Sequence, residues 1–198
     1  VIYMKITVLD SATLGDDLDL SLLSELGDTV IYKSSSEKET KERVKDSDII
    51  ILNKVKITDE VLESAEKLKL ICVAATGYDN IDLTSAQKHN VAVCNVCGYS
   101  TNSVAQVTLS LVLNLYTKIS EYSEFVKNGS YSHGNTANCL TPVYHEITGR
   151  TWGVVGLGNI GKQVARCASA LGCNVIAYKR SSDKEYNVVS LEELIKRS

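Results

Sequence analysis

The sequence predicts an α/β protein built on parallel sheets, and two patterns carry that prediction. Over the first hundred residues, short apolar runs alternate with helical segments, which is typical of a parallel sheet with helices on its faces. Near residue 150, a further apolar run enters a glycine-rich turn that opens a helix. The composition fits a folded globular chain, because 44% of the 198 residues are hydrophobic and 23% are charged.

Five short apolar or β-branched runs are the candidate strands of the first half. They cover residues 5–9, 29–32, 48–52, 68–74 and 91–94. The helical segments between them cover residues 36–45, 58–67 and 82–89. The first segment opens with a capping box of Ser36 and Glu39, and the second has Asp59 and Glu60 where the helix dipole favours acidic side chains. These elements predict a first folding unit that ends near residue 100.

One long helix is predicted over residues 103–126. Its apolar stripe, which Leu109, Val112 and Leu113 widen, is formed by Val104, Val107, Leu111, Leu115 and Ile119. An apolar surface nearly all round a helix indicates burial on more than one side, which places this helix between two domains. The following segment, residues 128–149, is irregular and holds the only proline, Pro142. A loop of this length is typical of a functional segment or an interface arm.

The glycine-rich turn lies between two candidate strands. An apolar run at residues 152–155 enters Gly156-Leu157-Gly158-Asn159-Ile160-Gly161, a helix follows over residues 162–171, and a second apolar run covers residues 174–178. This order of strand, GxGxxG turn, helix and strand is the setting of a dinucleotide-binding fingerprint. The alternative is an ordinary glycine-rich turn between a strand and a helix.

Each glycine of the turn has a predicted role. Gly156 permits the tight turn, Gly158 lets the backbone approach a pyrophosphate, and Gly161 lets the helix pack closely on the strand. The N-terminus of the helix offers free N–H groups and the positive end of its dipole to the phosphates. The turn therefore predicts a dinucleotide as its ligand.

The residues after the second strand bear on which dinucleotide is bound. An NAD site usually has Asp or Glu about 20 residues after the first glycines, where it binds the ribose 2′-OH. This chain has Lys179, Arg180, Ser181 and Ser182 there, and cations with hydroxyl donors attract a 2′-phosphate. The local chemistry therefore favours NADP(H) over NAD(H). In the alternative, Lys179 and Arg180 are solvated charges and Asp183 binds the ribose.

Charge and hydropathy argue against two classes of partner. The net charge of −3 is spread evenly, with no basic stripe interleaved with aromatic residues, so nucleic acid is not expected. No apolar run approaches the roughly 20 residues of a membrane helix, so no membrane is expected, and no signal peptide is visible. A cytoplasmic, reducing location is therefore the expectation.

Two of the six cysteines, Cys94 and Cys97, form a CxxC pair. A zinc ribbon needs a second pair to complete four ligands, so no metal site is predicted. The pair is either a redox dithiol or two reduced thiols at the end of an apolar run. Cys72 and Cys167 lie in apolar periodic segments and are expected to be buried.

The segment after residue 150 is short for a complete doubly wound domain, which has two mononucleotide-binding halves. Residues 150–198 cover one βαβ unit and a last helix at residues 190–196, with Ser190 and Glu193 as a capping box. A further strand is expected after that helix. The chain is therefore expected to be a fragment of a longer polypeptide. The alternative is a minimal protein that completes its sheet by pairing with another chain.

Three blocks of the sequence resemble the D-isomer-specific 2-hydroxyacid dehydrogenase family, in particular its glycerate dehydrogenase and hydroxypyruvate reductase members. The blocks are AATGYDNID at residues 74–82, NVCGYSTNSVAQ at residues 95–106, and ITGRTWGVV at residues 147–155, which runs into the glycine turn. With their order, they cover most of the chain from residue 70 to residue 180, and together they are specific to this family.

The resemblance implies a flavodoxin-like substrate domain plus a partial Rossmann dinucleotide-binding domain. The substrate domain covers residues 1–102, an interdomain helix and dimer-arm loop cover residues 103–149, and the N-terminal part of the Rossmann domain covers residues 150–198. The implied reaction is hydride transfer between a nicotinamide cofactor and a small 2-keto acid or D-2-hydroxy acid. The implied assembly is a homodimer.

The family's motifs also imply roles for single residues. Thr76 and Gly77 match a loop that presents backbone N–H groups to the substrate carboxylate, Tyr99 borders the substrate, and Thr101 faces the nicotinamide side. The alternatives are a simple strand-end turn for Thr76 and Gly77, and the edge of the core for Tyr99. The residues that match the cofactor site are Gly156, Gly158, Asn159, Ile160 and Gly161 at the pyrophosphate, with Lys179, Arg180 and Ser181 at the ribose.

Three positions depart from the family's pattern, namely Cys97, Gln106 and Lys179, and the last puts an NAD preference in doubt. The family's catalytic Arg, Glu and His belong to segments expected after Ser198, and none of the chain's three histidines lies in a family motif. Without a positioned imidazole as proton donor, the chain alone is expected to be inactive or nearly so. The alternatives are a non-catalytic dinucleotide-sensing scaffold and a truncated product that pairs with a full-length partner.

Overall fold

A computed structural model of the protein describes residues 4–134 and 138–198. The chain divides into two compact units, Val1–Tyr99 and Ser100–Ser198. Both units combine helices with a parallel sheet, which confirms the predicted α/β class. Within the described ranges, no helix has both the length and the apolar character needed to cross a membrane.

The first unit is built on five strands. They are β1 (Met4–Val8), β2 (Gly27–Ile31), β3 (Ile49–Leu52), β4 (Leu70–Val73) and β5 (Ala92–Asn95). All neighbouring strands pair in parallel, in the order β2-β1-β3-β4-β5. This is the strand order of flavodoxin-like sheets, in which ligands bind at the carboxyl ends of the strands.

The connecting helices of the first unit follow the predicted positions with shorter bounds. They are α1 (Glu37–Val44), α2 (Asp59–Glu63) and α3 (Leu83–Lys88). The capping box of α1 is confirmed, because the Glu39 N–H donates to Ser36 Oγ at 3.4 Å and the Ser36 N–H donates to Glu39 Oε2 at 2.8 Å. Helix α2 ends at Glu63, before the predicted residue 67, and the N–H of its C-cap Ser64 donates to the Val61 carbonyl three residues earlier. Two 3-10 turns, Ser11–Thr13 and Ser21–Glu25, were not predicted.

The helices of the first unit cover one face of its sheet. The buried cluster joins strand residues to residues of all three helices and comprises, among others, Ile50, Leu52, Ile71, Val73, Val44, Val61, Leu62 and Ala86. Alternate strand residues point to the second face, which is less covered. There, Cys72 is half-buried and its neighbour Cys94 is exposed.

The prediction that Cys72 and Cys167 are buried is wrong in part, because both are only half-buried. Cys72 lies on the second face of the sheet, and Cys167 lies within reach of the polar Gln163 side chain on its own helix, 3.9 Å from Nε2. The buried thiol of the described residues is Cys173, which precedes the second strand of the next unit.

The second unit contains five helices and three strands within its described residues. They are α4 (Thr101–Thr117), α5 (Ile119–Lys127), α6 (Ser130–His133), β6 (Thr151–Val155), α7 (Asn159–Ala170), β7 (Asn174–Tyr178), β8 (Asn187–Val188) and α8 (Leu191–Arg197). The strands pair in parallel in the order β6-β7-β8. The sequence did not predict β8, because two residues are too few to show a periodicity.

The predicted single helix over residues 103–126 is wrong, since the structure has two helices that meet at Lys118. Lys118 has the left-handed dihedral angles φ 57° and ψ 32°, which an α-helix does not continue through. The Asn114 side chain accepts the N–H of Ser120 at 3.1 Å and its hydroxyl at 3.0 Å, which offers the backbone an alternative to the helix ladder.

The apolar stripe on these two helices is exposed, contrary to the prediction of burial on more than one side. The buried residue of α4 is Ala105, which packs with Val154 and Val164. The exposed fractions are 57% for Val107, 62% for Leu111, 67% for Leu115 and 60% for Ile119. Among the described residues, the stripe is therefore an exposed apolar surface of the second unit.

The segment predicted as irregular, residues 128–149, contains the short helix α6, and residues 135–137 of it lie outside the described residues. The Thr141–Pro142 peptide bond is cis, and the Tyr122 hydroxyl donates to the Pro142 carbonyl. At the last helix, α8, the Glu193 N–H donates to Ser190 Oγ at 3.1 Å. The second bond of the predicted capping box, from the Ser190 N–H to the Glu193 carboxylate, is replaced by a bond from Arg197 to that carboxylate at 2.6 Å.

Candidate functional site

The glycine turn connects β6 to α7 at the carboxyl end of the sheet in the second unit. Gly156 has a φ of +91°, which favours glycine, and its N–H donates to the Tyr178 carbonyl of β7 at 2.8 Å. Gly158 is the N-cap of α7, which begins at Asn159, three residues before the predicted start. The turn therefore places the start of the helix directly beyond the end of the strand.

The space around the three glycines differs, and the difference separates packing from ligand access. A Cβ atom at Gly161 would lie 1.9 Å from the Gly156 carbonyl oxygen, so this glycine is required for packing the helix on the turn. A Cβ atom at Gly156 or Gly158 would meet nothing within 4 Å. These two positions border open space, as a site that admits a ligand to the backbone requires.

The N-terminus of α7 is not capped by a side chain. The first amide to bond within the helix is that of Lys162, which donates to Gly158 at 2.9 Å. The N–H groups of the preceding turn are therefore directed out of the helix, and Asn159 and Ile160 are exposed there. A row of free N–H groups at the positive end of a helix dipole is suited to binding phosphate.

Beyond β7, the Asp183 carboxylate binds two lysines. Its Oδ2 atom lies 3.2 Å from Lys162 Nζ and 3.3 Å from Lys179 Nζ, and its side chain is only 6% exposed. The Glu185 N–H donates to Oδ1 at 3.0 Å. That hydrogen bond and the Lys162 ammonium hold the pKa of Asp183 well below its usual range.

This arrangement bears on both predictions for the ribose end of the site. Asp183, the alternative ribose ligand, is engaged by two ammonium groups, and Lys179 is half-buried beside it. Arg180 and Ser181 are exposed, and Arg180 has no ion pair among the described residues. Of the two predicted ribose-end cations, Lys179 and Arg180, Arg180 is therefore the more accessible to a phosphate. Lys162 was missed as a contributor, because its contact joins α7 to a loop 21 positions further along the chain, and no local pattern signals such a contact.

The predicted substrate loop lies at the carboxyl end of β4 in the first unit. The Thr76 carbonyl accepts the Asn95 side-chain amide at 2.8 Å, and the Thr76 hydroxyl donates to the Val96 carbonyl at 3.0 Å. Both Thr76 and Gly77 are exposed, and their N–H groups donate to no acceptor among the described residues. Two free, exposed amides held by a side-chain clamp are a potential carboxylate site.

The two remaining predicted site residues flank the boundary between the units. Tyr99 is the last residue of the first unit and is 62% exposed, which does not fit its alternative place at the edge of the core. Thr101 is the first residue of α4 in the second unit and is half-buried.

The other titratable side chains show no cluster of three or more potential metal ligands within the described ranges. His89 Nε2 lies 3.2 Å from Asp59 Oδ1, and His133 Nδ1 lies 2.8 Å from the Gly129 carbonyl oxygen. These two imidazoles are engaged in local contacts with their own neighbourhoods. His145 is exposed.

Comparisons with known proteins bear on this geometry. A family model for the catalytic domain of D-isomer specific 2-hydroxyacid dehydrogenases matches residues 6–196. The chain is 32% identical to a hydroxypyruvate reductase of Blautia hydrogenotrophica over 206 aligned residues, which cover 98% of this chain and 63% of that protein.

Two solved structures are similar throughout the chain. An acyclic imino acid reductase in complex with NADPH and D-Arg is 30% identical with a TM-score of 0.84, over 98% of this chain and 63% of that one. A D-lactate dehydrogenase of Aquifex aeolicus in complex with NAD and lactic acid is 26% identical with a TM-score of 0.81, over 98% and 58%.

The chain thus spans about three fifths of the length of these relatives. Because the family model matches nearly all of it, the chain belongs to the D-isomer specific 2-hydroxyacid dehydrogenase family.

Proposed function

We propose that this chain binds NADP(H) in preference to NAD(H). We propose further that it is part of an oxidoreductase that interconverts a small 2-keto acid and a D-2-hydroxy acid. The observation that carries the proposal is the glycine turn, where Gly156 and Gly158 border open space at an uncapped helix N-terminus. Free amides and the helix dipole fit a pyrophosphate there. When bound, the nicotinamide supplies or accepts the hydride.

The preference for NADP(H) rests on charge at the end of β7. The exposed Arg180 guanidinium offers a bidentate partner for a 2′-phosphate, and the exposed Ser181 hydroxyl offers a donor beside it. Lys179 adds positive potential, although Asp183 at 3.3 Å offsets part of it. The two similar structures contain NADPH in one case and NAD in the other, so the preference depends on these residues of the chain itself.

The substrate proposal rests on the loop after β4. The free N–H groups of Thr76 and Gly77 are placed to donate to a carboxylate, and the Asn95 amide fixes the loop through the Thr76 carbonyl. A small 2-keto or 2-hydroxy acid presents such a carboxylate next to the reacting carbon. The role of the loop is therefore to bind and orient the substrate acid.

We also propose that the protein forms a homodimer through the apolar stripe on α4 and α5. Val107, Leu111 and Leu115 of α4 recur every four residues, Ile119 begins α5, and all four side chains are more than half exposed. Exposed large apolar side chains grouped in this way are typical of a surface that is covered by another polypeptide. A second copy offers an equal stripe, which a two-fold axis brings into self-complementary contact.

The test is a calorimetric titration of the purified protein with NADPH and, separately, with NADH. We expect NADPH to bind more tightly, and Arg180→Gln to weaken NADPH about tenfold or more while NADH changes little, because a charged hydrogen bond to the 2′-phosphate is lost. Lys184→Gln is the matched control, since Lys184 is an exposed cation of the same loop.

Equal weakening of both dinucleotides by Arg180→Gln, or tighter binding of NADH by the unchanged protein, contradicts the NADP(H) preference. Binding of neither dinucleotide contradicts the function itself. Because this chain alone is expected to be inactive, the proposed reaction is tested on a longer polypeptide that carries the family's catalytic Arg, Glu and His, by measuring the loss of NADPH absorbance with hydroxypyruvate or glyoxylate.

A further inference from the structure

Two cysteines of the first unit lie side by side on neighbouring strands. Cys72 of β4 and Cys94 of β5 are register partners in a parallel pair, so their side chains stand on the same face of the sheet. Neighbouring strands lie about 4.7–4.9 Å apart, and disulfides join Cα atoms that are roughly 4.4–6.8 Å apart. The backbone therefore already places the two residues within the range of a disulfide.

Among the described residues, the two thiols differ in their exposure to solvent. Cys94 is exposed and lies on β5, the edge strand of the sheet, whereas Cys72 is half-buried. Burial raises the pKa of the Cys72 thiol, and the neighbouring Cys94 thiol raises it further, as expected for two sulfur atoms close together. Cys94 is thus the first of the two to meet a solvent reagent.

The CxxC pair of the sequence is arranged differently. The ladder continues past Cys94, because the Val96 N–H donates to the Ala75 carbonyl at 3.0 Å. The Cys97 thiol donates to Asn95 Oδ1 at 3.5 Å, and Asn95 points to the opposite face from Cys94 because successive strand residues alternate. Cys94 therefore faces Cys72, across the strands, and faces away from Cys97.

We propose that Cys72 and Cys94 form a cross-strand dithiol that a hydroperoxide converts into a disulfide. The Cys94 sulfur attacks the peroxide, the O–O bond breaks, and the products are a sulfenic acid and an alcohol or water. The Cys72 sulfur then attacks the Cys94 sulfur and displaces the hydroxyl group, which leaves as water with the Cys72 thiol proton. Two electrons pass from the two thiols to the peroxide.

The bond formed in this way is expected to be reversible. The Cβ atoms of directly paired strand residues are about as far apart as the strands, whereas a relaxed disulfide has a Cβ separation of roughly 3.5–4.5 Å. The edge strand β5 pairs on one side only, so it is the strand that moves. A strained and exposed disulfide is more readily reduced than a buried structural one, so excess monothiol should restore both thiols.

The experiment is mild oxidation of the purified protein with hydrogen peroxide, alkylation of the remaining thiols, and mass spectrometry of a tryptic digest under non-reducing conditions. Cys72 falls in the peptide of residues 70–88, and Cys94 and Cys97 share the peptide of residues 89–118. We expect these two peptides to be linked, with fragmentation placing the bond at Cys94. Cys97→Ser should retain the link, and Cys94→Ser should abolish it.

Several results overturn the proposal. One is a bond between Cys94 and Cys97 within the peptide of residues 89–118. Another is oxidation of Cys94 to sulfinic acid with Cys72 still open to alkylation after unfolding. A link that survives in Cys94→Ser, or the absence of any linked peptide while both thiols remain alkylated, also overturns it. Circular dichroism of each variant checks that the sheet is retained.

Discussion

Replacement of Gly161 by alanine tests whether the glycine turn is a packing requirement of the fold. The added Cβ atom would lie 1.9 Å from the Gly156 carbonyl oxygen and 3.0 Å from its carbon. Both atoms belong to the backbone, so no side-chain rotation removes the contact. Helix α7 must therefore move away from the turn, or the turn must deform.

The size of the effect follows from that contact. Real Cβ atoms almost never approach another heavy atom within 3.0 Å, so the helix must shift by about 1 Å against a close-packed interior. Overpacking of this kind costs about 1–3 kcal/mol, and the rigid backbone partner places Gly161→Ala at the upper end. For a unit of this size, 3 kcal/mol lowers the melting temperature by roughly 12 °C or more.

The assay is urea unfolding followed by tryptophan fluorescence. Trp152 is the only tryptophan and lies in β6, the strand that leads into the turn, so its signal reports the second unit. Gly158→Ala is the matched control, because its Cβ atom meets nothing within 4 Å and its φ of −77° suits alanine. We expect its unfolding free energy to change by less than about 1 kcal/mol, with weaker binding of dinucleotide.

Two outcomes would refute this reasoning. If the unfolding free energy of Gly161→Ala is within about 0.5 kcal/mol of that of the unchanged protein, the contact with Gly156 is not a packing constraint. If Gly158→Ala loses as much stability as Gly161→Ala, the distinction between a packing glycine and a ligand-facing glycine is wrong. In the second case the dinucleotide titration of Gly158→Ala also loses its value as a test of the site.

Three further predictions concern charge, assembly and backbone conformation. Because the folded-state pKa of Asp183 is lowered, its carboxylate stabilises the fold above its unfolded pKa of about 3.9, and this contribution is lost as the pH falls through the folded pKa. Asp183→Asn should therefore unfold with a weaker pH dependence below about pH 4 than the unchanged protein, and an identical acid profile contradicts the prediction. Leu111→Asp should convert a dimer to a monomer in sedimentation while circular dichroism stays unchanged, whereas a dimer that persists places the interface elsewhere. Lys118→Gly should raise the unfolding free energy by about 1 kcal/mol, because the left-handed conformation strains every residue with a Cβ atom, and no change in thermal unfolding would show that Lys118 is unstrained.

Much of the fold could be predicted from sequence because its signals are local. The bounds of the strands in the first unit lie within two residues of the apolar runs, and the capping box at Ser36 and Glu39 forms as the spacing indicates. The helix break at Lys118 could not be predicted, because the apolar stripe continues across it without a glycine or proline. The two-residue strand β8 could not be predicted either, because it has no pattern of its own and is defined by its pairing with β7.

The candidate site divides in the same way. The glycine positions could be predicted from the sequence, because each glycine of a GxGxxG turn between a strand and a helix has its own structural role. The ion pairing of Lys179 could not be predicted from the sequence, because its partner Asp183 also binds Lys162 of α7. A sequence shows which charges are present but not which are already paired.

The sequence by itself determined that this protein is a parallel α/β chain of the D-isomer specific 2-hydroxyacid dehydrogenase family, with a glycine-rich turn between a strand and a helix, because periodicity, glycine spacing and motif order are properties of neighbouring residues. The tertiary structure alone decided that Cys94 faces Cys72, that Asp183 binds two lysines and that the stripe around Leu111 is exposed. Each of these depends on strand register or on packing between elements distant in the chain, which no local pattern encodes.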